Sequence, residues 1–347
     1  MATNVSAYVA CQRDRVGAAE VTIERAFEWL REVDRRLTRF DAASELCLMN
    51  ASAGQWMHVS SLLFDAVEQS VLAATASGGL FDPTVLPLLL DLGYDRDFKL
   101  IRDAEPSESP TSLSAPATWQ SGAWREIELN RAASRIRLPA GAQLDLGGIA
   151  KGWAADIAVQ RFFGDFPNVL FELSGDMRAR GYGPDGYPWA IGVEDPRASD
   201  PGPERHLAVM ALSRGGVATS GATNTRWRKR GERRHHLLDP RTGRPVRLWM
   251  SSEDDGPEAS TLIASATALA PTAAHAEAAA KVALLHGYPD ALRAVEAAWD
   301  VNAGEAAPYT DQGVALLLVM GDGRVICSEN LRDWLATSGG GGELWLD

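Results

Sequence analysis

The nine residues LDLGGIAKG, Leu144–Gly152, carry the sharpest local pattern in the chain. Asp145 lies at the predicted end of a strand, Gly147 and Gly148 make a tight turn, and a helix is predicted over residues 149–163. Such a corner brings backbone N–H groups to the positive end of a helix dipole, where a phosphate can approach the main chain closely. A plain strand-to-helix corner explains the glycines equally well, and the nine residues match neither GxGxxG nor a Walker loop.

Helices and strands are interspersed on both sides of this corner. Apolar or alanine-rich helical patterns cover residues 21–37, 60–76 and 271–285. Strands are predicted at residues 124–129, 135–138, 144–146, 169–173, 189–193 and 206–212, and a hairpin at 314–320 with 324–327. Because no repeat is visible and the two kinds of element are mixed, we predict a single α/β (mixed α+β) domain.

Two polar segments interrupt this pattern. Residues 102–121 are rich in Pro, Ser, Thr and Glu, and residues 250–262 are acidic and polar. Both are predicted to be surface insertions and not linkers between domains. The glycine-rich residues 337–347 are predicted to form a flexible tail, which leaves residues 1–336 as the folded domain.

The charge is unevenly distributed along the 347 residues. The net charge is −12 and 46% of the residues are hydrophobic, proportions typical of a globular protein and unfavourable for a general binder of nucleic acid. Between Arg226 and Arg247, however, nine Lys and Arg residues face only two acidic ones, a local charge of +7, so the remainder carries −19. A small phosphorylated ligand is therefore compatible with the composition.

The number of cysteines and the hydropathy of the chain indicate the cellular compartment in which it is expected to fold. Cys11, Cys47 and Cys327 are widely spaced and odd in number, which gives neither a disulfide framework nor a zinc motif. The first residues lack the basic and apolar regions of a secretory leader, and no run of about 18 apolar residues occurs. These features predict a cytoplasmic protein without membrane insertion.

Two further patterns contain residues that can carry chemistry. In HHLLDPRTGRP, His236 precedes Asp239 by three residues at a turn, so it is a candidate proton acceptor with a carboxylate in reach; a histidine that caps the turn is the alternative. Glu277 and Lys281 lie four apart on one face of the alanine-rich helix, and a surface salt bridge is the alternative there. The run of alanines around them predicts that this helix packs very closely against another element.

Seven patterns in this order resemble the ApbE family, the FAD:protein FMN transferases. They are SELCLMN (residues 44–50), GGLFDPTVLPLLLDLG (78–93), LDLGGIAKGWAAD (144–156), LFELSGDMRARG (170–181), GVATSG (216–221), HHLLDPRTGRP (235–245) and the alanine-rich helix that follows Ala270-Pro271. The resemblance implies a single-domain α/β fold, FAD as substrate and Mg²⁺ as cofactor. FMN would be attached through a phosphoester to a Ser or Thr of an acceptor flavoprotein with an SGAT-type motif, and AMP would leave.

The resemblance also implies roles for individual residues. Catalytic roles fall to His236, Asp239 and Lys151, and metal binding to the carbonyl of Ala150 with the positions of Glu277 and Lys281. The nucleotide and flavin would contact Phe40, Leu80, Phe81, Asp82, Asp145, Gly147, Gly148, Lys151, Thr219, Ser220 and His236.

The chain departs from the family at the last helix. Relatives usually have an Asp and, four residues later, a Thr as metal ligands, where this chain has Glu277 and Lys281. An ammonium about 4 Å from a divalent ion is repelled by roughly 8 kcal/mol at an effective dielectric near 20. We therefore hypothesise that Lys281, paired with Glu277, stands in for the metal. The alternatives to transfer are a non-catalytic FAD or FMN binder on the same fold and an FAD pyrophosphatase.

Overall fold

The computed structural model describes residues 4–102, 119–198, 206–229, 231–299 and 313–334. Its helices are α1 (Val16–Leu37), α2 (Glu45–Ala51), α3 (Ser61–Ala76), α4 (Leu86–Asp91), α5 (Phe98–Arg102), α6 (Ala150–Phe162), α7 (Ala273–His286), α8 (Ala291–Ala298) and α9 (Leu331–Trp334). Its strands are β1 (Val5–Val9), β2 (Trp56–His58), β3 (Glu128–Asn130), β4 (Arg135–Arg137), β5 (Val169–Leu173), β6 (Asp176–Arg180), β7 (Trp189–Glu194), β8 (His206–Leu212), β9 (Arg214–Gly221), β10 (Arg226–Lys229), β11 (Glu232–His235), β12 (Leu238–Asp239), β13 (Arg244–Pro245), β14 (Ile263–Ala270), β15 (Ala315–Met320) and β16 (Val325–Cys327).

Backbone contacts divide these elements into two compact units. Unit 1 takes its described residues from Arg31–Ala150 and Asn224–Arg247. Unit 2 takes them from Thr3–Leu30, Lys151–Thr223 and Leu248–Asp347. Both contain helices and strands, so the predicted mixed α/β class is confirmed.

Unit 2 is built on an antiparallel sheet of seven strands. Their order is β1-β5-β6-β9-β14-β15-β16. β14 and β15 are buried along their whole length, as expected for central strands covered on both faces. On one face Leu269, Leu317 and Val319 join the ribbon β7–β8 in one hydrophobic cluster. Alternation along β14 puts its alanines on the opposite face, and α7 packs against β9 and β14.

Unit 1 combines α2 to α5 with short strands. β2, β4 and β3 form a three-stranded antiparallel sheet, and β10–β11 and β12–β13 form two ribbons. A buried cluster of Leu88, Leu89, Leu92, Trp227 and Leu238 links α4 to both ribbons. The indole N–H of Trp227 donates to the carbonyl of Leu92 at 3.2 Å, which satisfies the one polar group of this buried ring.

Most elements predicted from periodicity are present. The four predicted helices correspond to α1, α3, α6 and α7, with Ser60 and Thr272 as the side-chain caps that begin α3 and α7. The predicted strands at 169–173, 189–193 and 206–212, and the hairpin β15–β16, are confirmed within about one residue at each end. α1 begins at Val16, five residues before the predicted start.

Two strand predictions are wrong in part or in full. Residues Ala123–Glu126 form a 3-10 turn, and the strand predicted at 124–129 begins only at Glu128. Residues 144–146 form no strand. The side chain of Asn50 accepts from the N–H of Leu144 at 2.8 Å and donates to its carbonyl at 3.0 Å, and Asp145 N–H donates to the carbonyl of Pro83 at 2.9 Å. A buried amide thus replaces the ladder partner that an extended segment requires.

The predicted insertions and tail are described only in part. Residues 103–118 and 337–347 lie outside the described residues. The segment 250–262 is tied down by a capping box between Ser251 and Asp254 and by a 3.0 Å hydrogen bond from the indole of Trp249 to Asp255. Its status as an insertion stays a prediction.

The close packing predicted for the alanine-rich helix is found. Eleven of the fourteen residues of α7 are buried. A Cβ atom added to Gly216 of β9 would lie 2.2 Å from the backbone nitrogen of Ala273, and one added to Gly152 of α6 would lie 2.4 Å from its carbonyl oxygen. Glycine at these two positions lets the first turn of α7 contact the backbones of β9 and α6 directly.

We predict that Gly152→Ala and Gly216→Ala each lower the free energy of unfolding by about 1–3 kcal/mol or more, because the added methyl meets backbone that cannot move aside. Chemical denaturation of the purified variants measures this effect. Gly17→Ala is the matched control, because a Cβ at Gly17 in α1 would meet no atom within 4 Å. Equal stability of all three variants would contradict the packing argument.

Candidate functional site

Four charged side chains of unit 2, called the charged tetrad here, form one buried network. Lys151 Nζ donates to Asp176 Oδ2 and, at 2.9 Å, to Glu277 Oε1. Lys281 Nζ lies 3.2 Å from the same Glu277 oxygen. The side chains of Glu277 and Asp176 are 0% and 2% exposed, whereas those of Lys281 and Lys151 are 12% and 24% exposed. The predicted alternative of a surface salt bridge for Glu277 and Lys281 is therefore wrong.

Each tetrad residue is placed by the element that carries it. Lys151 is in the first turn of α6. Asp176 is the first residue of β6 and follows a tight turn in which Ser174 (φ 49°) and Gly175 (φ 88°) both adopt the left-handed conformation. Glu277 and Lys281 lie one helical turn apart on α7, which brings both side chains to the same face.

The network sets the ionisation of its members. Burial alone would raise the pKa of Glu277, but the ammonium groups of Lys151 and Lys281 hold it lowered, to about 2. Burial alone would lower the pKa of Lys151, but the attraction of Asp176 and Glu277 outweighs it and keeps that pKa raised. Burial raises the pKa of Asp176 to about 7, because desolvation of its carboxylate outweighs the attraction of Lys151.

A second set of carboxylate contacts joins α6 to α7. Glu277 Oε2 accepts from the N–H of Gly152, in the first turn of α6, at 2.9 Å. In return Asp156 of α6 accepts from the N–H groups of Ala273 and Ala274, in the first turn of α7, at 2.9 and 3.0 Å. Each helix thus supplies a carboxylate to the N-terminus of the other, where the helix dipole favours negative charge. Burial raises the pKa of Asp156 to about 6 despite the attraction of Arg178.

The donor set at the predicted metal position does not fit a divalent cation. Both oxygens of Glu277 already accept hydrogen bonds, from Lys151 and Lys281 at Oε1 and from Gly152 at Oε2. Magnesium requires several oxygen ligands in octahedral geometry, and Lys281 offers a cation instead. Across the described ranges, no cluster of three or more His, Cys, Asp or Glu side chains is arranged to hold a metal ion.

In unit 1, Arg39 contacts two of the residues predicted to bind the nucleotide and flavin, Asp145 and Phe40. Arg39 Nε lies 2.6 Å from Asp145 Oδ2, and Arg39 Nη1 donates to the carbonyl of Tyr94 at 2.6 Å. The guanidinium carbon is 4.3 Å from the ring centroid of Phe40 and 4.4 Å from that of Tyr94, within cation–π range of both. Phe40 remains 42% exposed, so its ring can still contact a ligand.

The glycine corner has most of its amide donors engaged within the chain. Gly147 N–H donates to Asp145 Oδ1 at 2.6 Å, and the N–H groups of Ile149 and Ala150 both donate to the carbonyl of Leu146. Asp145 therefore connects the corner to Arg39. The Gly147 N–H, which the sequence pattern predicts to bind phosphate, instead donates to the carboxylate of Asp145. Both contacts join a backbone amide to an anionic oxygen.

The two adjacent histidines differ in environment. His235 is buried, with Nε2 2.9 Å from the carbonyl of Val246 and Nδ1 accepting from Leu237 N–H, so it carries its proton on Nε2. Burial lowers the pKa of His235 to about 4. His236 is half-buried, and its ring centroid lies 6.5 Å from that of Tyr94. Asp239 binds Arg241 through both carboxylate oxygens.

The remaining predicted ligand residues are also described. Leu80, Phe81 and Asp82 are buried at the end of the segment after α3, and Asp82 Oδ1 accepts from the backbone and hydroxyl of Thr84 at 2.8 and 2.5 Å. In unit 2 the exposed Thr219 of β9 shares a 2.8 Å hydroxyl hydrogen bond with Thr267 of β14. Ser220 follows it and is half-buried.

Four residues of these networks were not singled out from the sequence. They are Arg39, Tyr94, Asp156 and Asp176. Asp156 and Asp176 do lie within LDLGGIAKGWAAD and LFELSGDMRARG, and their place in these two patterns is a usable signal. Arg39 and Tyr94 meet across 55 positions of chain, which local patterns cannot reveal.

Comparison with known proteins gives consistent matches. A family model described as "ApbE family" matches residues 1–303. The FAD:protein FMN transferase of Treponema pallidum is 31% identical over 78% of this chain and 73% of its own length. That of Haemophilus influenzae is 25% identical over 80% of this chain and 76% of its own.

Solved structures match over nearly the whole chain. The ApbE protein of Thermotoga maritima superposes with a TM-score of 0.73 at 25% identity, covering 96% of both chains. The apo flavinyl transferase ApbE of Pseudomonas stutzeri gives a TM-score of 0.67 at 20% identity, covering 97% of this chain and 98% of its own. No helix in the described part of the chain is both long and apolar enough to span a membrane.

We predict that His235 makes the protein sensitive to mild acid. Its folded-state pKa of about 4 lies below the ordinary 6.5, so the unfolded chain binds more protons in that window and stability falls as pH falls through it. Between about pH 7 and about pH 5, the wild type should lose roughly 1–2 kcal/mol more unfolding free energy than His235→Gln, which cannot be protonated.

Urea denaturation at the two pH values measures this difference. His58→Gln is the matched control, because His58 is exposed. If His235→Gln and the wild type lose stability in parallel, the buried neutral histidine is not the cause.

We predict that Glu277→Gln lowers the free energy of unfolding by about 3–5 kcal/mol, because it leaves two ammonium groups with one buried carboxylate. Lys281→Met in the same chain should restore part of that loss by removing the surplus charge. Glu32→Gln, in a surface ion pair with Arg35, should cost less than about 1 kcal/mol. A small effect of Glu277→Gln, comparable to that of Glu32→Gln, would argue against a tightly coupled tetrad.

Proposed function

Because the chain belongs to the ApbE family, we propose that it is an FAD:protein FMN transferase. The observation that carries this proposal is the family match over residues 1–303, together with curated relatives of that name at up to 31% identity. The substrates are FAD and an acceptor protein. The products are AMP and the acceptor protein that carries FMN on a Ser or Thr hydroxyl.

In the proposed reaction the acceptor oxygen attacks the phosphorus of the FMN half of the pyrophosphate. One P–O bond to the acceptor forms, the bond to the bridging oxygen breaks, and AMP leaves with that oxygen. The hydroxyl proton passes to a base, for which we propose His236, whose half-buried ring lies beside Tyr94. Asp239, which binds Arg241, is proposed as a positioning residue for this turn.

Charge for the phosphates is proposed to come from Lys151. Its ammonium stays protonated, and its partly exposed side chain can exchange one carboxylate partner for a phosphate oxygen. We propose nucleotide contacts at Leu80, Phe81, Asp82, Asp145, Gly147 and Gly148, and flavin contacts at Phe40, Thr219 and Ser220. Mg²⁺ is absent from this scheme, because Glu277 and Lys281 do not provide a divalent-cation donor set.

Three further features of the proposal follow from the sequence. The acceptor is a flavoprotein with an SGAT-type motif, and residues 1–336 act as one transferase domain. A cytoplasmic location is supported by the three cysteines, which are free thiols.

We expect that incubation with FAD and an SGAT-type peptide adds one FMN, less water, to the peptide and releases one AMP per modified peptide. His236→Ala should slow transfer at saturating FAD about 100-fold or more, the usual contribution of a general base. His58→Ala, at an exposed position, is the control. Mass spectrometry and AMP chromatography are the measurements.

Two outcomes would replace the proposal by a different function. AMP released with free FMN and no modified peptide identifies an FAD pyrophosphatase. Saturable FAD binding with neither product identifies a non-catalytic flavin-nucleotide binder. This is the second candidate, because the chain has Lys281 where relatives usually have a metal-binding Thr.

A further inference from the structure

The charged tetrad contains as many basic as acidic side chains. Two ammonium groups, of Lys151 and Lys281, face two carboxyl groups, of Asp176 and Glu277. A site that recruits a divalent cation normally presents an excess of anionic oxygens. Here the positive charge comes from two lysine side chains, Lys151 on α6 and Lys281 on α7.

Both carboxylate oxygens of Glu277 already have hydrogen-bond donors. Glu277 Oε1 accepts from two ammonium groups, and Oε2 accepts from the amide of Gly152. A cation that bound Glu277 would have to share these oxygens with the donors or displace one of them, and an ammonium, whether it stays or is displaced, would remain nearby as a like charge.

Two contacts with Glu277 and the surrounding packing hold Lys281 in this position. Its Nζ contacts both the side chain and, at 3.4 Å, the carbonyl oxygen of Glu277. Only 12% of its side chain is exposed, and the helix around it is packed with buried alanines. Swinging the ammonium into solvent would break both contacts and leave Glu277 with Lys151 as its remaining ion-pair partner.

We propose that the Lys281 ammonium takes the place of a divalent cation beside Glu277, so that this chain binds no such ion at the tetrad and transfers FMN without one. The second half rests on the proposed function, and the first half does not. In this arrangement Lys281 neutralises Glu277, which leaves the more exposed Lys151 as the cation that meets the phosphates.

The direct test is a titration with Mn²⁺ alone, followed by electron paramagnetic resonance of the free ion. The wild type should show no saturable Mn²⁺ binding in the micromolar to low millimolar range. Lys281→Thr, which removes the charge and adds an oxygen, should bind Mn²⁺ at least about tenfold more tightly. Lys281→Met, which keeps the apolar stem, provides a second variant without the charge and should fall between the two.

Lys99→Thr on the exposed face of α5 is the matched control and should bind Mn²⁺ as the wild type does. Saturable Mn²⁺ binding by the wild type that Lys281→Thr leaves unchanged would overturn the proposal. The wild-type protein is also assayed with FAD and the acceptor peptide after exhaustive EDTA treatment. Undiminished AMP release supports the proposal, and a loss that Mg²⁺ restores overturns its second half.

The two proposals fail in different ways. If no AMP appears under any condition, the transferase assignment fails, and the Mn²⁺ titration still decides whether the tetrad excludes a cation. If AMP appears only with Mg²⁺, the transferase assignment stands and the role given to Lys281 is wrong.

Discussion

The structure of unit 2 depends on reciprocal hydrogen bonds between α6 and α7, in which each helix provides a carboxylate that accepts from amides at the start of the other. Asp156 binds the first amides of α7, and Glu277 binds an early amide of α6. Each helix therefore has at least one of its orphan N-terminal donors satisfied by the other, and the dipole of each favours the charge it receives. This arrangement requires the two helix starts to lie close together, which the absence of a side chain at Gly152 permits.

The charged tetrad follows from these reciprocal hydrogen bonds. Once Glu277 is directed to the start of α6, the neighbouring Lys151 meets the same carboxylate, and Lys281 reaches it from one turn along α7. A fully buried carboxylate is costly unless it is paired and hydrogen-bonded. Two ammonium groups and one amide meet that requirement, and they explain why Glu277 can sit inside a helix that is otherwise alanine-rich and apolar.

The sequence predicts those parts of this arrangement that depend on local order. Helical spacing identifies α1 and α3, and the alanine run identifies α7 as a closely packed helix. The strand predicted at residues 144–146 is wrong because the partner that satisfies the backbone of Leu144 is the side chain of Asn50, which periodicity cannot detect. Glu277 and Lys281 were recognised as a pair from their spacing, whereas Lys151 and Asp176 join them only through the fold.

If Lys281 takes the place of an exchangeable cation, as proposed, the chemistry is divided differently among the residues. A metal ion can neutralise phosphate, orient an attacking oxygen and lower its pKa, all from one position. A tethered ammonium supplies charge and hydrogen bonds but cannot acidify a bound hydroxyl in the same way. Activation of the acceptor then has to come from a side chain that takes the proton. Under the two proposals, His236 takes that proton, and the electrostatic contribution of the tetrad does not depend on the concentration of free divalent ions.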